Sequence, residues 1–335
     1  MKTLRIGLPL GQTFFRAILA ALAFGVALEL LARTPAAASL PESYGSSHPH
    51  FETQMRQLKS RVAREGRIDC IFLGNSQVLY GIDPRVVEQT YQDATGQVIH
   101  CQNFGLGGLP PMSAAPVARM LVENFHPSVI VFGSGLWDYS SGNAASTHAS
   151  LVSSPWVKYQ LGIWSLDGWL YEHSRAFRIL FGVERALKTR DDQGDKIDGN
   201  GHAAYTGQTR LTLNEQLEYF ESISSRPELT ERQRNGLRDL LALDGSQVKI
   251  ILVETPFDPA FLAARRKARL LYPEFKNMLV SQAGLAGVEV WLTQEAVEIS
   301  EDQWYDLIHL NDEGAAHFSR LLGAYLASVR AIPSR

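Results

Sequence analysis

Apolar and polar positions divide the chain into stretches of different character. Lys2, Arg5 and Arg16 precede an apolar run from Ala17 to Leu31 that only Glu29 interrupts, and Arg33 and Pro35-Ala36-Ala37-Ala38 follow it. Positive residues ahead of an apolar segment hold the amino terminus in the cytoplasm and send the rest outward. Two fates fit this pattern. Ala36-Ala37-Ala38 offers the small residues of a signal-peptide cleavage site. Against cleavage, Glu29 and Arg33 lie between the apolar core and that site, and a helix from about Leu8 to Ala32 can span a hydrocarbon layer of roughly 30 Å with Arg16 snorkelling. The favoured reading is an uncleaved inner-membrane anchor with the remainder outside the cytoplasm; a cleaved periplasmic or secreted form is the alternative, and export follows from both.

Residues 39–50 are rich in Pro, Ser, Gly and His and read as a linker, and Phe51 to Glu65 carries helical spacing with charges on one side. From there the pattern alternates. Short apolar runs of strand type fall at Ile68–Leu73, Gln97–Asn103, Val129–Phe132, Val248–Val253 and Val288–Leu292. Helices are predicted between them: Asp83–Ala94 with Asp83 as cap and Pro84 in the first turn, a helix capped by Ser113 and running to Phe125, an amphipathic segment over Pro259–Gln282, and a last helix capped by Asn311 and running to about Val329. Strands alternating with helices imply a parallel sheet covered on both faces, and five strands fit a flavodoxin-like, three-layer α/β/α domain. The chain thus divides into an anchor or signal segment (1–38), a linker and helix (39–66), and one domain (67–330).

Residues 139–245 exceed what that domain needs. Trp156, Tyr159, Trp164, Trp169 and Tyr171 make the first half of this insertion aromatic. They suit a carbohydrate or acyl groove, although packing of the insertion onto the domain is the simpler account. The acidic stretch Asp191 to Gly201 lacks the alternating ligands of a calcium loop and reads as exposed. Thr212 to Leu243 is helical again.

Composition narrows the function classes. With 335 residues, 45% hydrophobic and 20% charged, the chain can bury one large core. A net charge of −3 and no Lys/Arg run interleaved with aromatics argue against a nucleic-acid partner. Cys70 and Cys101 are the only cysteines; they stand near the ends of two predicted strands, where they are read as buried thiols, with a bridge as the alternative if the strands are neighbours. His100, His126, His148 and His202 show no metal-ligand spacing, and neither metal nor other cofactor is expected.

The chemistry concentrates in CIFLGNSQVLYGIDP, Cys70 to Pro84. An apolar run broken by Gly74 presents Asn75 and Ser76 where a central strand would end, which is where α/β proteins expose a nucleophile. A serine hydroxyl needs a base within hydrogen-bond reach and a carboxylate to orient that base. Asp306 stands three residues before His309, just ahead of the last helix, so it can turn back onto one imidazole nitrogen while the other faces outward.

Taken together these blocks resemble the SGNH, or GDSL-type, hydrolases. Gly74-Asn75-Ser76 is similar to the first block, Asn103-Phe104-Gly105-Leu106-Gly107-Gly108 to the NxGxxG of the second, and Asp306-Leu307-Ile308-His309 to the DxxH of the fifth. The run GNSQVLYGIDP also resembles the GxSxxxxGIDP of bacterial membrane-anchored SGNH-like proteins linked to cell-surface polysaccharide acylation. The resemblance spans about residues 68–138 and 246–330. It implies a catalytic Ser76, His309 and Asp306, with the N–H groups of Gly108 and Ser76, and Asn75 beside them, around the oxyanion. Gln77, Asn103, Trp137 and Asp138 would touch substrate. The implied partners are an acylated carbohydrate or other ester, the membrane, and a membrane acyl-donor protein.

One departure bears on mechanism. The third block should read GxND, its Asn donating to the oxyanion, but the chain reads Phe132-Gly133-Ser134-Gly135-Leu136-Trp137-Asp138. Trp137 or Gly135 takes the asparagine's place, depending on the alignment, and neither has a side-chain amide; activity would then rest on the backbone N–H groups of Ser76 and Gly108, with Asn75, Ser134 or Asn143 as candidate aids. Loss of one such donor costs about a hundredfold to a thousandfold in rate. The competing expectation is therefore a non-catalytic protein that binds glycan or scaffolds an envelope complex.

Overall fold

A computed structural model describes residues 10–48, 50–139, 144–188, 196–205, 212–223, 228–245 and 247–333. In chain order, α1 (Leu10–Ala32) and α2 (Phe51–Glu65) precede β1 (Cys70–Gly74), α3 (Ser76–Gly81), α4 (Pro84–Thr95), β2 (Cys101–Gly105), α5 (Pro111–Phe125) and β3 (Val129–Ser134). The insertion contributes α6 (Ala144–Val152), α7 (Pro155–Gln160), α8 (Leu166–His173), α9 (Arg175–Lys188), α10 (Leu213–Ile223) and α11 (Glu231–Leu241). Then follow β4 (Lys249–Glu254), α12 (Pro259–Ala264), α13 (Arg266–Ala286), β5 (Glu289–Trp291), α14 (Thr293–Ala296) and α15 (Asp312–Ser328).

The five strands form one parallel sheet in the order β2-β1-β3-β4-β5, the flavodoxin-like arrangement. Successive side chains on a strand face opposite ways, so two cores form. Ile71, Leu73, Ile130, Phe132, Ile250 and Leu252 meet α2, α5, α11 and α13 on one face. Cys70, Phe72, Val129, Val131, Ile251 and Val253 meet α4 and α15 on the other. The three-layer architecture follows from that alternation.

Several sequence expectations shift. β2 begins at Cys101 rather than Gln97, because pairing with β1 starts at the Cys70–Cys101 register and Val98 is left exposed. The two cysteines are neighbours, as the strand order allows, and both are free, buried thiols. α5 starts at Pro111, so Ser113 lies inside it, with its buried hydroxyl on His148 Nδ1 at 2.9 Å. The segment Pro259–Gln282 breaks into two helices at Arg265. Asp83 and Asn311 do cap α4 and α15 through their side chains.

Within the expected linker, residues 43–46 and 48 are packed. Glu52 on α2 gathers this segment, its carboxylate accepting from Tyr44 N–H, Ser46 N–H and the Ser43 hydroxyl. The Tyr44 ring packs on Trp156 of α7, 4.9 Å between centroids, and both are buried. Trp156 and Tyr171 therefore belong to the core, whereas Trp164 and Trp169 stay exposed. Part of the acidic stretch, 191–195, lies outside the described residues. Its continuation is held: Ala203 N–H bonds Leu79 O, Asn200 O accepts from Asn103 N–H, and His202 Nε2 meets Tyr80 O.

α3 is too short to show helical periodicity in sequence, and its position has a specific cause. Gly105, Gly74 and Gly133 stand side by side at the ends of β2, β1 and β3. A Cβ at Gly74 or Gly133 would meet Val78 Cγ2 at 2.4 or 2.3 Å, and one at Gly105 would meet Leu79 N at 2.4 Å. The three bare positions form a shelf on which α3 rests, with Ser76 at its leading end. At Gly133 the obstacle is side chain, at Gly74 it is the Val78 side chain together with the Gly133 carbonyl oxygen at 2.7 Å, and at Gly105 it is the α3 backbone itself. Gly105→Ala is therefore expected to cost about 1–3 kcal/mol, measured as a lowered urea midpoint of the detergent-solubilised full chain.

Candidate active site

Ser76 follows the end of β1, at the point where the strand order turns from β2 to β3, which is where open α/β sheets bind ligands. Asn75 starts α3, its Oδ1 accepting from Gln77 N–H at 2.7 Å. From the far end of the chain, the turn before α15 brings up His309. Trp304 and Leu310 form an isolated bridge, and His309 O accepts from Tyr305 N–H and Asp306 N–H, which closes a tight loop. Inside it Asp306 Oδ1 accepts from the N–H groups of Ile308 and His309, and Oδ2 lies 2.8 Å from His309 Nδ1. His309 Nε2 lies 2.9 Å from Ser76 Oγ.

The electrostatics suit a relay. Burial pushes the Asp306 carboxyl up, but the adjacent imidazole and the two backbone N–H groups outweigh it and hold the group below its ordinary value of 3.8. An ionised Asp306 accepts Nδ1–H, which leaves Nε2 to accept the serine proton. The His309 ring is flanked by Tyr80 and Tyr205, each 5.7 Å away between centroids, and Tyr205 stacks between Tyr80 and Tyr305 at 4.1 and 3.8 Å.

The glycine loop after β2 lies beside this group. Gly108 has φ +71°, a left-handed conformation that favours glycine, and a Cβ there would sit 3.1 Å from Thr147 Oγ1 of α6. The preceding residue is gripped on both sides. Gly107 N–H donates to His50 Nδ1 at 3.0 Å, and Gly107 O meets His48 Nε2 at 3.1 Å. A trans peptide directs its N–H opposite to its C=O, so the bond to Gly107 O also fixes the direction of the Gly108 N–H. Burial pushes His48 down to about 4, and the ring is therefore neutral at neutral pH, with Nδ1 accepting from His50 N–H and Nε2–H donating to Gly107 O. Nothing in the sequence pattern of 39–50 connects these two histidines with a loop that follows β2.

Most of the predicted substrate contacts are placed otherwise. Asn103 is fully buried; its Nδ2 donates to the carbonyls of Val78, Leu79 and Ile82 and its Oδ1 accepts from Gly105 N–H, so it fastens α3 to β2. Gln77 is buried as well. Its Nε2 donates to Pro256 O and Ile308 O, each at 3.0 Å, and its Oε1 accepts from Trp137 Nε1 and Thr255 Oγ1. Asp138 takes Asn75 Nδ2 at 2.6 Å and Gly135 N–H at 2.8 Å, and burial pushes its carboxyl up to about 7 against those donors. These three side chains are engaged in holding the framework.

Of the side chains expected to aid the oxyanion, those described are bonded elsewhere. The Asn75 amide hydrogens are spent on Asp138 and Gln77, and the side chain is buried. The Ser134 hydroxyl pairs with Tyr139 OH at 2.8 Å and is fully buried. Asn143 lies outside the described residues. At the third-block position, a Cβ on Gly135 would fall 2.3 Å from Gln77 Oε1, which leaves no room for an amide there, and the Trp137 indole N–H is bound to the same oxygen. The Trp137 ring is half-buried against Phe257 and Phe261. Among the described residues, no group of three or more His, Cys, Asp or Glu is placed to hold a metal ion.

No family model and no curated protein matches the chain. Among solved structures it is similar to a lipase/acylhydrolase from Enterococcus faecalis, at 15% identity and TM-score 0.40, over 80% of this chain and 100% of that one. It is also similar to the aryl esterase of M. smegmatis, at 10% identity and TM-score 0.37, over 79% of this chain and 100% of the other. At these TM-scores neither likeness bears on the chemistry.

The weight carried by Gln77 can be measured. Gln77→Met fills a similar volume but orphans two carbonyls, an indole N–H and a hydroxyl, and each buried orphan costs about 1–3 kcal/mol. We expect a loss of at least about 3 kcal/mol in urea unfolding, well above that of an exposed substitution.

Proposed function

We propose that the chain is a membrane-anchored serine ester hydrolase or O-acyltransferase of the SGNH type. The observation that carries this reading is the unbroken line Ser76 Oγ, His309 Nε2, His309 Nδ1, Asp306 Oδ2, with hydrogen-bond spacing at both joints. Ser76 Oγ attacks the acyl carbonyl carbon while its proton passes to His309 Nε2. The resulting oxyanion is held by the N–H groups of Ser76 and Gly108. Collapse expels the alcohol, which takes the proton back from His309, and an acyl-Ser76 remains. Water or a sugar hydroxyl then attacks with His309 again as base, giving hydrolysis or transfer. Asp306 stays ionised throughout and keeps the imidazole in one tautomer.

The substrate proposed is an acyl ester of cell-envelope carbohydrate, with acetyl as the expected acyl group and a membrane acyl-donor protein as partner if the reaction is transfer. Support for a sugar-bearing substrate comes from the aromatic wall beside His309, where the half-buried Tyr305 closes the stack of Tyr205 on Tyr80. The non-catalytic reading draws on the third-block position, where Trp137 offers no donor. Labelling the full-length protein with a fluorophosphonate probe separates the two. We expect wild type to label, Ser76→Ala not to label, and His309→Ala to label at least about a thousandfold more slowly. A folded wild-type protein that does not label overturns the catalytic reading.

Retention of the anchor is proposed on separate grounds. The described part of α1 includes a 21-residue apolar stretch, Gln12–Ala32, long enough to cross a membrane. Ala37, within the candidate cleavage site, is buried, and Glu29 is hydrogen-bonded into the insertion. The mature protein recovered from membranes is therefore expected to keep these residues by intact mass; a chain beginning near Ser39 overturns the anchor.

A further inference from the structure

The end of α1 is bonded to the insertion through two residues. Glu29 accepts from Ser174 Oγ at 2.9 Å and from the N–H groups of Arg175 and Ala176 at 3.1 Å, so a residue of the apolar helix caps the start of α9. Arg33, paired with Glu29, donates to His173 O at the end of α8. From Gln12 to Leu28 α1 is exposed along its whole length. It leaves the domain as a free rod, and only its last turns touch anything.

This fixes the depth of the insertion if α1 spans the bilayer. At about 1.5 Å per residue, a stretch of this length is used up in crossing a core of roughly 30 Å. The last turn of α1, with Glu29 and Arg33, then stands at the boundary, and whatever these two bond stands at headgroup level. The α8–α9 junction is what they bond.

The residues just before that junction are apolar and outward. Ile163 and Leu166 are each 58% exposed, Trp164 72% and Trp169 42%. The Trp169 ring lies 5.0 Å from that of His173, whose carbonyl Arg33 holds. The presentation is built in: Gly162 turns the chain with φ +79°, and Ser165 caps α8 by accepting from Gly168 N–H at 3.0 Å. Asp167, exposed among them, suits the polar headgroup zone. Two outward tryptophans beside two aliphatic residues, next to the end of a membrane span, match the amphipathic belt that proteins place at the membrane–water interface.

We propose that the surface formed by Ile163, Trp164, Leu166 and Trp169 is seated in the interfacial layer of the bilayer that α1 crosses, so that the domain lies on the membrane instead of hanging from it. The inference rests on the anchor reading. The same insertion carries Thr147 beside Gly108, and it therefore runs from the candidate active site to the lipid surface.

The test uses the full-length protein in nanodiscs made with lipid brominated near the glycerol end of its acyl chains, or with the same lipid unbrominated. Bromine quenches tryptophan on contact. With two of six tryptophans at the interface, bromination is expected to lower wild-type emission by up to about one third. In Trp164→Phe/Trp169→Phe the loss should largely disappear, with near-ultraviolet circular dichroism showing the fold retained. Equal quenching in both proteins, or none in either, overturns the seating when intact mass shows the chain complete. A chain that has lost residues 1–38 overturns the anchor, and the seating with it.

Discussion

The arrangement depends on how closely α3 can approach the sheet. Three neighbouring strands carry glycine at the same level, Gly105 and Gly74 as last residues of β2 and β1 and Gly133 one residue before the end of β3, and none of them leaves space for a methyl group. Because α3 lies against backbone, its leading residue emerges at the switch point of the sheet rather than above it. Everything else at the site is set relative to that contact. Gln77, one residue on from Ser76, reaches Pro256 after β4 and Ile308 beside His309, so strand ends far apart in sequence share one hub. Low tolerance of the close-packed interior to added volume makes this a defined position.

The network around Gln77 also explains the altered third block. In place of an asparagine directed toward a reacting oxygen, the turn after β3 sends Trp137 to Gln77 and Asp138 to Asn75. An asparagine at 135 would collide with Gln77, and one at 137 would remove both the indole hydrogen bond and the ring packed on Phe257 and Phe261. The turn has become structural. In the proposed reaction, stabilising negative charge would fall to the backbone, and hence to the loop that carries Gly108.

How much could be read from the chain follows the range of the interactions. β1, β3 and β4 announce themselves as short apolar runs because both faces of the sheet are buried there, and Asp83 and Asn311 were legible as caps because a cap acts within three residues. The Asp306–His309 bond is equally local. What escaped was tertiary. Gln77, Asn103 and Asp138 are polar residues near a catalytic motif, and sequence cannot say whether such a side chain points to substrate or to a carbonyl brought in from 179 or 231 positions away. The start of β2 was set by its partner strand, and α3 by a row of glycines visible only once three strands are aligned.

His48 and His50 give the tether a second meaning. The stretch that leads from α1 into the domain is also the stretch that grips the Gly107 peptide, and Glu52 binds it to α2 on the way. The connection to α1 and the support of the glycine loop therefore share the same few residues. Lengthening or shortening this stretch would shift the register of both histidines against the loop, so the distance from α1 to the Gly107 peptide is not a freely adjustable parameter in this protein. Two functions that are separable in a protein with a slack linker must here change together.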